Sequence, residues 1–114
     1  MRIVRDHITL AELTELAEVR FGDMVKAVVD IDREVMAVGE GMHADEEAGL
    51  LDDGSRQSAL WGINLYPAEF GTPDWLEFDS MINLRPHQQN RSRSVDDSAI
   101  RVRIAAVVDR IVIQ

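Results

Sequence analysis

The segment Arg85-Pro86-His87-Gln88-Gln89-Asn90-Arg91-Ser92-Arg93 holds almost nothing to bury and many groups that bind oxyanions or bases. A guanidinium presents a planar fork of donors that matches a carboxylate or phosphate bidentately. Three arginines stand here within nine residues. The segment also runs into a helix signal, and a helix N-terminus adds backbone N–H donors and partial positive charge. Arg85, His87, Gln88, Asn90, Arg91 and Arg93 therefore form a candidate anion site. The plainer reading is a proline-anchored loop whose arginines pair with an acidic body, an arrangement that forms readily and contributes little.

Carboxylates are the second candidate set. Glu77 and Asp79 lie two apart in a strand-like run and so share a face, and Asp30 and Asp32 do likewise. His43, Asp45, Glu46 and Glu47 cluster at a short helix signal. Hard oxygen ligands converging from neighbouring strands would suit Mg²⁺ or Mn²⁺. With an arginine clamp they would make a metal-assisted phosphodiesterase, for which Asp30, Glu77 and Asp79 are the candidate ligands. The competing reading is a polar sheet face and an acidic first turn that complements the helix dipole. The chain has no H-E-x-x-H or EF-hand spacing, no G-x-S-x-G elbow and no glycine-rich phosphate loop. His7, His43 and His87 are isolated from one another in sequence, and with no cysteine there is neither a thiol nucleophile nor a disulfide framework. Among the aromatics, Trp61 reads as core. Trp75 has the opposite strand parity to Phe78 and is expected to be exposed, at a sheet edge, a dimer interface or a base-stacking surface.

The elements that would position these groups follow from periodicity. Arg2–Arg5 reads as a short edge strand. Thr9-x-x-Glu12 is a capping box opening a helix over 10–20, with Leu10, Leu13, Leu16 and Ala17 on one face and Gly22 at its end. Met24–Ile31 alternates, placing Val25, Ala27, Val29 and Ile31 together, and Asp32-Arg33 turns it into Glu34–Val38. The result is a hairpin without the usual Asn-Gly or Asp-Gly turn. A short helix is expected over 43–51 despite Gly49, and Asp52–Ser55 is a turn. Ala59–Tyr66 aligns Trp61, Ile63 and Leu65. Trp75–Leu84 reads as a ten-residue strand stopped by Pro86, with Phe78 and Ile82 inward and Glu77, Asp79 and Asn83 on the solvent face. Ser94-x-x-Asp97 is expected to cap a last helix over 95–112 with the stripe Ile100, Ile104, Val107, Val108, Ile111.

The order (β)α-ββ-α-ββ-α predicts an α+β two-layer sandwich. Its mainly antiparallel sheet would have four or five strands, and its three helices would lie on one face. At 114 residues the chain is a single domain able to bury a real core. The charge is uneven: residues 1–84 carry 6 basic and 18 acidic side chains, net −12, whereas residues 85–114 carry 6 basic and 3 acidic, net +3. An overall charge of −9 argues against nonspecific duplex DNA binding. No apolar run is long enough to span a membrane, and the opening MRIVRDHITL lacks the apolar stretch of a secretory leader, so a cytoplasmic protein is expected. Eleven of the twelve basic residues are arginine; Lys26 is the only lysine.

The runs FGDMVKAVVDIDREVMAVG, HADEEAGLLDDGSRQSALWGINLYP and EFDSMINLRPHQQNRS together resemble a small prokaryotic family known only as domain of unknown function 5674. The resemblance covers nearly the whole chain. It implies a compact single domain and carries no catalytic residues over. Against that family's pattern, Gln89 stands where glycine is usual, and Gly39-Glu40 stands where a glycine pair is usual.

The leading expectation is a small cytoplasmic binding module with an anion- or nucleotide-accepting site built from Asn64, Glu77, Asp79, Asn83, Arg85, His87, Asn90, Arg91 and Arg93. Its partner would be a small anion, a nucleotide or an acidic protein segment, with no cofactor. The rivals are the metal-assisted phosphodiesterase or nuclease and a structural homodimer or larger homo-oligomer.

Overall fold

The computed structural model describes residues 1–114. Strands β1 (Arg2–Val4), β3 (Val25–Asp30), β4 (Val35–Val38), β5 (Leu60–Leu65) and β6 (Leu76–Glu77) form one antiparallel sheet in the order β1-β4-β3-β5-β6. Helices α1 (Leu10–Arg20), α2 (His43–Asp52) and α3 (Ser98–Ile111) complete the α+β domain. A two-residue parallel ribbon, β2 (Ile8–Thr9) against β7 (Val112–Ile113), ties the start of α1 to the end of α3. Nothing in the sequence pattern announced it, because two residues are too few for a period.

The expected strand parities hold in the centre of the sheet. Val25, Ala27 and Val29 of β3, Met36 and Val38 of β4, and Trp61, Ile63 and Leu65 of β5 all join one core with Leu13 and Ala17 of α1 and Ile104, Val107, Val108 and Ile111 of α3. The helices were expected on one face, but α2 lies on the other. Val28, Val35, Ala37 and Leu60 point that way and meet Leu50 of α2 in a smaller cluster. A sheet covered on both sides explains why every residue of β4 and β5 is buried.

Local chemistry sets the element ends. Thr9 and Glu12 form the reciprocal capping box, and Gly22 follows α1 at φ 88°. The β3–β4 turn gets its signal from Asp30: its Oδ1 accepts N–H bonds from Asp32 and Arg33, both at 2.9 Å. Oδ2 of Asp30 accepts the Ser55 hydroxyl at 2.6 Å. Arg33 donates to Ser55 Oγ and to Asp53, which Arg5 also pairs. This chain of contacts fastens the turn to the end of α2.

Four expectations fail after residue 74. The ten-residue strand Trp75–Leu84 is cut to Leu76–Glu77, followed by a 3₁₀ turn at Met81–Asn83 in which Ser80 Oγ accepts the Ile82 N–H. Trp75 is buried, edge-on to Phe70 with ring centroids 5.0 Å apart. With the strand gone its parity fails: Asn83 is fully buried, Phe78 is half-buried against the main core, and Ile82 packs on the α2 side of the sheet. The last helix begins at Ser98, with Asp97 rather than Ser94 as its cap: Asp97 Oδ1 accepts the Ala99 N–H at 2.8 Å.

Gln89 adopts φ 64°, ψ 22° after a second 3₁₀ turn, Pro86–Gln88. That left-handed conformation is strained for a side-chain-bearing residue and free for glycine. Gln89→Gly should therefore raise stability by about 1 kcal/mol in urea denaturation, the relieved strain exceeding the added chain entropy. A lowered midpoint would contradict this account of the loop.

Candidate functional site

The segment expected to bind an anion turns out to be the closing edge of the sheet. Beyond Asn64, β5 has no strand partner on its outer side. Its polar groups are met by side chains instead. Asn83 accepts the Gly62 N–H on Oδ1 at 2.9 Å and donates Nδ2 to the Gly62 carbonyl at 3.0 Å. A carboxamide thus stands in for a strand residue. Gly62 is required here: a Cβ on it would lie 2.5 Å from both the Cβ and the Oγ of Ser80.

Arg85 closes the next carbonyls. Its guanidinium donates to the backbone oxygens of Ile82 (3.0 Å), Gln57 (2.6 Å) and Leu60, and to Gln88 Oε1 at 3.1 Å, while lying over the Trp61 ring at 4.3 Å. Asn90 donates to the carbonyls of Asn83, Ser92 and Ser94. Arg85, Asn83 and Asn90 are buried and their polar groups are spent on the backbone. They build the fold and have nothing left for a ligand.

The loop before α3 is closed to anions as well. The Asp96 carboxylate takes the Arg91 N–H at 2.8 Å and the Ser92 hydroxyl at 2.5 Å, which hold its carboxyl below the usual range. An internal carboxylate sits where an external one was expected. The Arg91 and His87 side chains face solvent.

The expected acidic face is also divided. Glu77 accepts from Asn64 Nδ2 at 2.9 Å and from the Tyr66 hydroxyl at 3.1 Å. It borders a cavity of about 390 Å³ that holds Glu69 and Asp74 as well. Asp79 pairs with Arg93 Nε at 2.7 Å. Asp30 lies opposite Leu60, at the other end of β5 from Asn64 and Glu77, and its carboxylate is consumed by the turn. The three proposed metal ligands do not converge.

What does converge lies across the sheet edge. A cavity of about 180 Å³ opens between the first turn of α2 and the 80–93 segment, lined by Lys26, Gly41, Met42, His43, Ala44, Ser80, Met81, Ile82 and Arg93. Each element has a reason to be there. Lys26 faces the α2 side because Val25 and Ala27 face the main core. Arg93 is carried in by its own carbonyl, which accepts the Ser80 N–H and Asn83 Nδ2, both at 3.0 Å. His43 opens α2 and is 7% exposed. Its Nε2 is 2.8 Å from the Ile63 carbonyl, so the proton belongs on Nε2 and the lone pair on Nδ1. Burial, with Lys26 and Arg93 nearby, pulls the imidazole below its ordinary pKa, against a smaller opposing pull from Ile63 and Asp79. Met42 provides no side-chain cap, which leaves the first N–H groups of α2 without one.

Lys26 enters no ion pair; its ammonium lies 5.4 Å from the Phe21 ring centroid. The nearby buried carboxyl, Glu46, is pushed up to about 9, chiefly by burial, and Oε1 has no hydrogen-bond partner. Kept neutral, it leaves the Lys26 charge uncompensated. Of the residues expected to form the site, Arg93 alone lines this cavity. Lys26 and His43 carried no motif; their signal was that one is the only lysine and the other falls at a helix start two residues after Gly41.

A family model described as protein of unknown function (DUF5674) matches residues 2–111. The chain belongs to that family. Comparison with curated proteins and with solved structures gives no significant match. Gln89 occupies a left-handed position, and Gly39 sits at φ 98°. No helix is long and apolar enough to cross a membrane.

Glu46 yields a pH prediction. Its carboxyl titrates near 4.5 in the unfolded chain and near 9 in the fold, so the folded state holds the extra proton between those values. Stability from this group must fall as pH rises through that window. Glu46→Gln, a mimic of the protonated acid, should leave stability nearly unchanged at pH 5 and raise it by about 1 kcal/mol or more at pH 8. Equal effects at both pH values in chemical denaturation would show that Glu46 is ionised in the fold.

Proposed function

We propose that this protein is a small-molecule binding module whose site is the cavity between the first turn of α2 and the 80–93 segment, and that it takes a ligand carrying a phosphate or carboxylate group. The observation that carries this reading is the uncompensated Lys26 ammonium in the same recess as Arg93 and the uncapped N-terminus of α2. In a chain with 21 acidic and 12 basic side chains, seven of the basic ones pair with a carboxylate. One that does not, set beside backbone N–H donors, favours an external oxyanion. Asp79 holds Arg93 through Nε only, which leaves the other guanidinium nitrogens available. The recess suits one oxyanion group and its immediate substituents rather than a protein segment, and the overall charge of −9 selects against extended polyanions.

Titration of the ¹⁵N-labelled protein with inorganic phosphate and with ADP tests this. Amide shifts should concentrate on Lys26, residues 41–44, Ser80 and Arg93, leaving 85–90 still. Lys26→Met and Arg93→Ala should each weaken binding by about tenfold, the usual loss for one charge-assisted contact. No shift at millimolar phosphate or ADP, or shifts centred on Arg91 and the α3 cap, would overturn the assignment.

A further inference from the structure

We propose that His43 is a phosphoryl-accepting histidine, modified on Nδ1 by a small phosphoryl donor of the phosphoramidate or acyl phosphate class. The inference rests on the binding reading above and goes further, because it assigns chemistry to a side chain that lines the recess.

Four features of the site favour this role. The Ile63 carbonyl fixes the tautomer, leaving the Nδ1 lone pair free with no partner in the protein. The ring is held immobile between α2 and β5, nine-tenths buried, and it still lines the cavity. An immobile nucleophile adjoining a bound oxyanion loses little entropy on reaching the attacking geometry. Lys26 of β3 and Arg93 of the 80–93 segment face the same space, where they would neutralise the oxygens of the transferred group, and the first N–H groups of α2 would add donors to it. The charged groups around His43 are Lys26, Arg93 and Asp79. The two cations disfavour a protonated ring, and an unprotonated ring is what a nucleophile requires.

With phosphoramidate the step balances as follows. The Nδ1 lone pair forms a bond to phosphorus, and the phosphorus–nitrogen bond of the donor breaks. The donor's nitrogen, already protonated in the monoanionic zwitterion, leaves as ammonia with that electron pair. Nε2 keeps its proton and its bond to Ile63. The ring becomes a cationic imidazolium carrying a dianionic phosphoryl group, so total charge is unchanged.

His7 and His87, both exposed in the same chain, are internal controls. The folded protein is incubated with phosphoramidate at neutral pH, and the modified position is mapped by peptide mass spectrometry under alkaline conditions that preserve phosphohistidine. ³¹P spectra distinguish Nδ1 from Nε2. His43 should react about tenfold or more faster than His7 and His87, despite its burial, because the recess concentrates the donor. The adduct should be acid-labile and on Nδ1. His43→Gln should abolish it, and Arg93→Ala, at the loop margin where the fold is least at risk, should slow it severalfold. Reaction at His43 no faster than at the exposed histidines would overturn the proposal, as would modification on Nε2. If phosphate still shifts residues 41–44 in that case, the binding site stands and the phosphoryl acceptor falls; if phosphate shifts nothing, both fall.

Discussion

The structure depends on one substitution of side chain for backbone: the Asn83 carboxamide pairing with both polar groups of Gly62. A sheet edge with unmet N–H and C=O groups attracts other strands and costs free energy when buried. Here β6 covers only the Asn64–Leu65 end of β5, and the rest of the edge is finished by Asn83 and Arg85. The glycine at 62 lets Ser80 come close enough for this, and the turn that follows Ser80 presents Asn83 at the required height. The same carboxamide holds the Arg93 carbonyl. An edge-closing device therefore also fixes where one of the cations of the proposed site stands.

That device explains which parts of the fold were legible in the sequence. Val25, Ala27 and Val29, or Ile104, Val107 and Ile111, announce themselves because burial against an apolar neighbour repeats at the period of the element. The capping box at Thr9 is legible for a similar reason, since its partners lie three residues apart. Residues 75–84 also alternate, yet they do not continue as a strand. Alternation describes what a segment would bury if extended; it does not register that Asn83 and Arg85 have better partners on β5 than a strand backbone would offer, with Ser80 close against Gly62. Asn, Ser and Arg near a proline read as a polar loop from either viewpoint.

The proposed site differs from the one expected from the sequence for a related reason. Charge along the chain pointed to 85–93, but charge says nothing of which cations are already engaged. Arg85 is consumed by carbonyls, Arg91 faces solvent and does not line the recess, and the donors of the loop before α3 are taken by Asp96. Lys26 and His43 look unremarkable as letters. They matter to the proposed site because α2 lies on the reverse face of the sheet, above Lys26, and because Glu46, held neutral by burial, withholds the counter-charge that a lysine in an acidic protein would otherwise find. Neither fact follows from spacing.

The most direct test of this account is native-state hydrogen exchange at the Gly62 amide, measured in the wild type and in Asn83→Ala. If the carboxamide completes the sheet, the Gly62 amide in the wild type is protected as strongly as its neighbours along β5, and Asn83→Ala lowers that protection selectively while the β3–β5 amides keep theirs. Rapid exchange of Gly62 in the wild type, at the rate of an unpaired edge amide, would contradict it.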